Sequence, residues 1–301
     1  MFTSPRSVVR ALVHMPWAEL PPGRMVDLPG RGSTFVTDTA GPEPESPTVV
    51  LLHAVGTTGL LTWYPTIPVL SSRFRVITLD QRRHGRGIRS AKFSLSDSAD
   101  DVAALLDVLG VDRAIIGGFS MGSIIAQRTW RQHPDRVAGL VLAATTDRFR
   151  GTISERLFHQ AMETSMAALR GESRSRIVRQ ADVDAVPEVA DLDPVDVHDW
   201  ALAEFRSTSP WAVAHAVAAL GRHHSRPWLR QINVPTAIVV TLRDKVIPAE
   251  RQLDLARRIP GATIHGINAG HASVVMESEV FVPAFVEACT TVHARAADFS
   301  R

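Results

Sequence analysis

The chain has 301 residues, of which 45% are hydrophobic, and its formal net charge is only +2. This composition can bury a large core and suits one domain with an insertion, while the small net charge gives no reason to expect a nucleic-acid partner. The single cysteine, Cys289, excludes an internal disulfide and suits a reducing compartment, where we expect it to be a small core residue.

The first twenty residues do not have the pattern of an export signal. His14, Pro16 and Glu19 interrupt their apolar stretch, and no small-residue cleavage pattern follows. No later apolar run reaches the roughly 20 residues that a membrane-spanning helix needs. We therefore expect a soluble, cytoplasmic protein that does not associate with membranes.

Strands and helices alternate through the first half of the chain. A hairpin is predicted over 24–38, where Pro-Gly-Arg-Gly separates two short strands. Continuous apolar runs predict buried strands over 48–53, 74–79, 112–119 and 137–144, and periodic patterns predict helices over 60–71, 94–109 and 121–130. This alternation predicts an α/β fold, a mostly parallel, doubly wound sheet with helices on both faces.

The alternation stops after residue 146. Up to residue 226 helical patterns dominate, including a start at Ser209-Pro210, and no continuous buried strand appears. The alternation resumes with a strand over 235–242, a helix over 248–259, a strand over 262–266 and a helix over 277–293, and the tail from Ala294 is predicted to be loose. We therefore predict three segments: a first part of the core over 1–146, a helical cap over 147–226, and a second part of the core over 227–301.

The sequence Gly118-Phe119-Ser120-Met121-Gly122 fits G-x-S-x-G, the strand-turn-helix nucleophile elbow. The serine of such an elbow has a strained backbone that lifts its hydroxyl clear of the sheet, and glycines on either side avoid a clash there. The start of the following helix favours developing negative charge. We predict Ser120 as a nucleophile, with a structural glycine turn as the alternative.

With this elbow, the strand-helix alternation and the insertion, the chain resembles the α/β-hydrolase superfamily from about residue 24 to residue 293. In that family an acid and then a histidine follow the serine along the chain. Asp244, within 241–248, looks like the acid, and His271, within 268–271, looks like the histidine. The resemblance implies a catalytic Ser120-His271-Asp244 triad. Asp147 is a second candidate for the acid, because some family members place it after the preceding strand.

The resemblance also implies an oxyanion hole with two backbone donors. One is the N–H of Met121, directly after the nucleophile. The other is the N–H of Val55, because His53-Ala54-Val55-Gly56 is similar to the family's H-G-x-G stretch, and His53 itself is expected to be structural.

A third stretch, Asp80-Gln81-Arg82-Arg83-His84-Gly85, resembles the family's D-x-R-G-H-G loop. We expect Asp80 and Arg82 to form a structural ion pair and His84 to be a packed loop histidine.

A serine nucleophile favours acyl transfer over the carbon–halogen or epoxide opening that family members with aspartate carry out. Phe119 before the nucleophile is similar to the esterase-like and cofactor-free haloperoxidase-like branch. We therefore predict a serine hydrolase that cleaves a small carboxylic ester, lactone or related acyl substrate through an acyl-enzyme. The alternative is a non-hydrolytic protein of the same fold, used for acyl or peracid-type transfer or for binding.

Phe119, Met162 and Trp211 are the predicted substrate-binding residues, although packing of the cap onto the core is the favoured role for most of the cap side chains. The histidines lack metal-ligand spacing and no nucleotide-binding signature occurs, so no metal and no cofactor are predicted. The one predicted partner is a small-molecule acyl substrate. The sequence leaves the particular substrate and the oligomeric state open.

Overall fold

A computed structural model describes residues 20–149 and 197–299. The strands are β1 (Gly23–Leu28), β2 (Gly32–Thr39), β3 (Thr48–Leu52), β4 (Arg75–Leu79), β5 (Ala114–Phe119), β6 (Val137–Ala143), β7 (Thr236–Thr241) and β8 (Thr263–Ile267). The helices are α1 (Gly59–Trp63), α2 (Ile67–Leu70), α3 (Leu95–Val108), α4 (Met121–Gln132), α5 (Val197–Arg206), α6 (Pro210–Gly221), α7 (Ala249–Arg258), α8 (Ser273–Met276) and α9 (Ser278–Phe299).

The strands form one sheet in the order β1-β2-β4-β3-β5-β6-β7-β8. Strand β2 runs antiparallel to β1 and to β4, and the pairs from β4 to β8 are parallel. The predicted hairpin and the predicted mostly parallel sheet are therefore confirmed. The parallel order brings the carboxyl ends of β3, β5, β7 and β8 to one edge, which is where the candidate site lies.

Each face of the sheet has its own apolar core, because side chains alternate along the strands. Val50 and Leu52 of β3 pack with α3 and α4 on one face. Val49 and Leu51 pack on the other face, in the cluster that contains Trp63 and side chains of α9. Burial of each such side chain stabilises the fold by roughly 1.5–3 kcal/mol. Cys289 lies fully buried in the second core, as predicted.

The helix predicted over 60–71 is two short helices, α1 and α2. Pro68 is the physical reason, because it lies in the first turn of α2, lacks an N–H, and its ring would clash with the carbonyl four residues earlier in a continuous helix.

The prediction of a loose tail from Ala294 is wrong, because α9 continues to Phe299. Two contacts hold its last turns. Val292 is fully buried in the core, and Arg295 Nη1 donates to the Gly261 carbonyl at 2.8 Å, at the turn before β8.

The described part of the predicted cap consists of α5 and α6, which come between β6 and β7 in the chain. Ser209 caps α6 by accepting the N–H of Ala212 at 3.2 Å, and Pro210 is the first helical residue, as its sequence pattern predicts. The other predicted cap helices lie outside the described residues, and the boundaries 147 and 226 stay predictions.

Candidate active site

Ser120 lies in a strained turn between β5 and α4, with φ 52° and ψ −112°. Only glycines fit on either side. A Cβ on Gly118 would lie 2.3 Å from the Gly122 carbonyl carbon, and a Cβ on Gly122 would lie 1.9 Å from the Leu52 carbonyl oxygen. A backbone of this kind costs of the order of 1–3 kcal/mol and persists only where its surroundings hold it.

Strand β6 provides that support. The N–H of Ser120 donates to the Ala143 carbonyl at 3.0 Å. The Ser123 hydroxyl lies 2.6 Å from the Gly118 carbonyl oxygen and accepts the Ala143 N–H at 3.0 Å. The turn is therefore tied to the neighbouring strand on both sides of Ser120.

The structure brings Ser120, His271 and Asp244 into one hydrogen-bonded chain. His271 Nε2 lies 3.1 Å from Ser120 Oγ, and His271 Nδ1 lies 2.7 Å from Asp244 Oδ2. Asp244 follows β7 and His271 follows β8, which are adjacent parallel strands. An imidazole placed in this way can accept the serine proton at Nε2 while the carboxylate holds Nδ1–H.

The Asp244 side chain is fully buried, and its carboxylate is surrounded by donors. Oδ1 accepts the N–H groups of Val246 and Ile247 at 2.8 and 2.9 Å, and Oδ2 accepts the Thr241 hydroxyl at 2.8 Å. Burial raises the pKa of this carboxyl, but the hydrogen bond and charge of His271 and the bonds from Ile247 and Thr241 outweigh burial, so its pKa is lowered.

Asp147 is not brought to the imidazole. Its Oδ2 lies 3.9 Å from Arg258 Nε, and its backbone carbonyl accepts the N–H of Ser225 at 2.9 Å. Asp147 follows β6. In the sheet, β7 lies between β6 and β8, the strand that precedes His271. The acid in contact with His271 is therefore Asp244, which follows the adjacent strand, and not Asp147, which lies beside Arg258.

The two predicted oxyanion donors lie on neighbouring elements. Met121 is the first residue of α4, where a backbone N–H has no acceptor within the helix. Val55 lies in the loop after β3, the strand that pairs with β5, and the loop turns at Gly56 with φ 78°. Their role as oxyanion donors stays a prediction.

His53 and His84 are buried and connect the loop after β3 to the loop after β4. His53 Nε2 accepts the N–H of Gln81 at 2.8 Å, so the proton resides on Nδ1, which donates to the Ala54 carbonyl at 2.7 Å. Burial lowers the pKa of both imidazoles, to about 4 for His84, and their rings lie 5.2 Å apart. Neutral, buried rings of this kind agree with the structural roles predicted for them.

The predicted ion pair between Asp80 and Arg82 is wrong. Arg82 pairs instead with Asp101 of α3, through two hydrogen bonds of 2.6 and 2.7 Å. Asp80 accepts the backbone N–H groups of Gly59 at 2.8 Å and Arg86 at 2.9 Å. The loop after β4 separates the two side chains, since Asp80 faces the start of α1 and Arg82 faces α3.

Sequence reasoning missed Glu204, a fully buried carboxyl group on the cap helix α5. It accepts the Thr58 hydroxyl, and its Oε1 lies 2.6 Å from Arg86 Nη2. Burial, together with the charge of nearby Asp80, raises the pKa of Glu204 to about 7, although Arg86 opposes the shift. One glutamate in an amphipathic helix is a weak signal, because such a residue usually faces solvent.

Other cap contacts reach the same core loops. The Thr208 hydroxyl accepts the N–H of Gly85 at 3.0 Å. A Cβ on Gly56 would lie 3.4 Å from Val213 Cγ2, so α6 covers the loop that contains Val55. The cap therefore touches two of the loops that surround Ser120.

The predicted substrate-binding residues differ in placement. Phe119 is 1% exposed, and its ring lies 5.6 Å from the His271 ring and 5.4 Å from the Phe281 ring. Trp211 is half-buried on α6, with its ring 4.8 Å from that of His215. Met162 lies outside the described residues. Substrate contacts of all three stay predictions.

Over residues 20–149 and 197–299, no group of three or more histidine, cysteine, aspartate and glutamate residues is arranged to hold a metal ion. Within the same ranges, no helix combines the length and the apolar character needed to cross a membrane.

Comparison with known proteins agrees with this architecture. Residues 47–277 match the model of the alpha/beta hydrolase fold family. The chain therefore belongs to the α/β-hydrolase family. It is an α/β-hydrolase enzyme, as the sequence predicts.

Three similar proteins illustrate the range of that family. The chain is 30% identical to the magnesium-chelatase 30 kDa subunit of Rhodobacter capsulatus, over 79% of this chain and 84% of that protein. It is 27% identical to the pimeloyl-[acyl-carrier protein] methyl ester esterase of Chromobacterium violaceum, over 81% of this chain and 94% of that protein. The crystal structure of a hydrolase from Pseudomonas aeruginosa superimposes with a TM-score of 0.69 at 26% identity. The match covers 88% of this chain and 97% of that one.

Proposed function

We propose that this protein hydrolyses a small carboxylic ester, lactone or related acyl substrate through an acyl-enzyme on Ser120. The observation that carries the proposal is the continuous chain of hydrogen bonds from Ser120 Oγ through His271 to Asp244, with lengths of 3.1 and 2.7 Å. The similarity to a methyl ester esterase supports an ester as the substrate class.

In the first half of the reaction, Ser120 Oγ attacks the substrate carbonyl carbon while His271 Nε2 takes the hydroxyl proton. The carbonyl oxygen becomes an oxyanion, which the N–H groups of Met121 and Val55 are proposed to stabilise. When the carbon–oxygen bond to the alcohol breaks, the imidazolium returns the proton to the leaving alkoxide. An acyl ester of Ser120 and the free alcohol result.

In the second half, His271 takes a proton from water, and the resulting hydroxide equivalent attacks the acyl ester. The bond to Ser120 Oγ breaks, the proton returns to that oxygen, and the carboxylic acid leaves. Asp244 keeps the imidazole in the Nδ1–H tautomer and stabilises the imidazolium in both halves.

The non-hydrolytic alternative has one specific observation in its favour, the 30% identity to a protein named as a magnesium-chelatase subunit. Under that alternative the same fold serves binding or acyl transfer. A binding protein differs from the proposed hydrolase in whether Ser120 is chemically activated, and an acyl transferase differs from it in whether water accepts the acyl group.

A fluorophosphonate probe tests the first difference, since it labels only an activated serine, and release of free carboxylic acid from the ester tests the second. We expect labelling of the wild-type protein and turnover of p-nitrophenyl esters. A series of these esters with acyl chains of increasing length shows which acyl group is preferred. Ser120→Ala should abolish labelling and lower kcat by several orders of magnitude. Ser98→Ala removes a buried hydroxyl on α3 that donates to the Ser94 carbonyl, and should label as the wild type does. A folded Ser120→Ala variant with a tenth of wild-type turnover would overturn the proposal.

A further inference from the structure

We propose that Gln252 is a positioning residue that fixes the carboxylate of Asp244 and, through it, the imidazole of His271. The proposal rests on the proposed function, because it needs Asp244 to be the acid of the triad. Gln252 lies on α7, does not touch Ser120 or His271 in the described contacts, and has no role implied by the elbow, acid-loop or histidine-loop motifs.

Gln252 is fully buried and uses both ends of its amide. Its Oε1 accepts the N–H of Thr241 at 3.0 Å. Its Nε2 donates to the Ile247 carbonyl at 2.7 Å and to the Thr241 hydroxyl oxygen at 2.8 Å, and it lies 3.2 Å from Asp244 Oδ2. Since a backbone N–H can only donate and a carbonyl can only accept, these partners determine which end of the amide is oxygen.

These contacts close the acid loop at both ends. Thr241 is the last residue of β7 and Ile247 lies just before α7, so a single side chain joins the beginning of the loop to its end. Asp244 lies between them, and the Ile247 N–H is itself a donor to Asp244 Oδ1. Gln252 therefore holds the backbone that supplies one of the two amide bonds to the carboxylate.

Gln252 also acts on the carboxylate oxygen that faces His271. Its Nε2 supports the Thr241 hydroxyl, which donates its proton to Asp244 Oδ2 at 2.8 Å. Oδ2 is the same oxygen that lies 2.7 Å from His271 Nδ1. Loss of the amide would free the Thr241 hydroxyl to rotate, and the carboxylate would lose both a direct and an indirect constraint on its plane.

Packing alone would favour an apolar residue at position 252. Gln252 lies on the buried stripe of α7 with Leu255, Ala256 and, beyond the helix end, Ile259, at the spacing of an apolar helix face. A buried amide is tolerated because all its partners are present, and an apolar residue would leave the Thr241 N–H without this acceptor.

The experiment compares Gln252→Met with Gln127→Met, each alone, and Gln252→Met in the Asp244→Asn background. Gln127 is a matched control because it is also a fully buried glutamine, on α4, and its amide has no hydrogen-bond partner within the described part of the chain. The readouts are kcat and KM on p-nitrophenyl acetate, with circular dichroism to show that each variant is folded.

We expect Gln252→Met to lower kcat about 10- to 100-fold, by analogy with the loss seen when the hydrogen-bond partners of metal-ligating side chains are removed, with KM nearly unchanged. In the Asp244→Asn background the same substitution should change kcat by less than about twofold, because its effect passes through Asp244. Gln127→Met should keep wild-type kcat. An equal loss in both backgrounds, or full kcat in folded Gln252→Met, would overturn the inference.

Gln252→Glu provides a second test if Gln252→Met does not fold. It keeps the shape and the oxygen facing the Thr241 N–H but places a carboxyl group beside Asp244. Because a carboxylate there would stabilise the imidazolium of His271, which must lose its proton before it can act as the base, the acid limb of the pH profile of kcat/KM should move to higher pH, and an unmoved limb contradicts the inference. Normal turnover in Asp244→Asn alone would also overturn this inference, whereas normal turnover in a folded Ser120→Ala variant would overturn the proposed function.

Discussion

Two carboxyl groups, Asp244 in the acid loop and Glu204 on the cap helix, both have side chains closed off from solvent, yet their pKa values shift in opposite directions. Burial raises the pKa in both cases. At Asp244, two backbone N–H groups, the Thr241 hydroxyl and His271 outweigh burial. At Glu204, the Thr58 hydroxyl and Arg86 do not outweigh it.

The difference lies in the neighbours. Arg86 Nε also lies 3.9 Å from Asp80 Oδ2, so one guanidinium serves two carboxyl groups, and the charge of Asp80 raises the pKa of Glu204 further. The comparison teaches that burial alone does not decide whether a carboxylate carries a charge, because the donors and the like charge beside it determine whether burial is outweighed. The acid loop keeps its charge for catalysis, whereas the contact between cap and core takes up a proton near neutral pH.

The largest expected effect comes from removing the charge of Asp244. Asp244→Asn should preserve the shape but impair the tautomer of His271, and by analogy with the serine-protease acid this costs about 10⁴-fold in kcat. Steady-state kinetics on p-nitrophenyl acetate measures the change. Asp147→Asn is the matched control and should change kcat little, because Asp147 lies beside Arg258 and not beside His271. The reverse ranking would move the acid to the end of β6.

The second effect is on stability at the cap. Glu204→Ala removes the acceptor of the Thr58 hydroxyl and one of the two carboxyl partners of Arg86, which should lower the free energy of unfolding by up to about 3–5 kcal/mol. Denaturant titration measures it. The control is Asp107→Ala, which breaks the surface ion pair with Arg136, and this should cost less than about 1 kcal/mol. Equal losses in the two variants would mean that the buried contact contributes no more than a surface pair.

The third effect is the pH dependence of stability. The pKa of Glu204 rises from 4.5 to about 7 on folding, so its contribution to the free energy of unfolding is complete below pH 4.5 and is lost as the pH rises through about 7. Burial also raises the pKa of Asp80, so the contribution of Asp80 to the free energy of unfolding likewise falls as the pH rises. Asp244 has the opposite sign, since its contribution is present above its ordinary pKa of 3.8 and is lost as the pH falls through the lowered value.

Glu204→Gln tests this sign, because it keeps the size of the side chain and cannot ionise. Relative to the wild type, the variant should gain up to about 3 kcal/mol of stability between about pH 5 and pH 8, as 2.5 pKa units correspond to that order. Denaturant titrations at a series of pH values measure the difference. A stability difference that is constant across this range contradicts the assigned pKa direction.

The smallest effect is on substrate choice. The cap is proposed to select substrates and to contribute no member of the triad, since Ser120, Asp244 and His271 all lie on core loops. Trp211→Ala, and likewise Met162→Ala, should shift chain-length preference and KM, while turnover of an acetyl ester survives. A buried aromatic truncation costs up to about 3–5 kcal/mol, so folding is checked first. Loss of all acetyl ester turnover in folded variants, with chain-length preference unchanged, would place a catalytic group in the cap.

The sequence by itself was sufficient for the parallel sheet and the elbow, and its resemblance to the α/β-hydrolase superfamily supplied the candidate acid and histidine. The sheet and the elbow depend on local physics. Apolar runs form buried strands, and the clashes that a Cβ would make at Gly118 and Gly122 leave only glycine at those positions. Because parallel strands end at one edge, loops that follow β5, β7 and β8 meet there whatever their detailed sequence.

Only the tertiary structure decided which polar groups meet across the chain. Arg82 selects Asp101 over Asp80, and Glu204 reaches Arg86 and Thr58 from 118 and 146 residues away. Gln252 stands on an apolar stripe, but its partners lie on the loop that the helix follows. A polar side chain can bond to many partners of suitable chemistry, and the packing of helices and loops determines which of them comes within 3 Å.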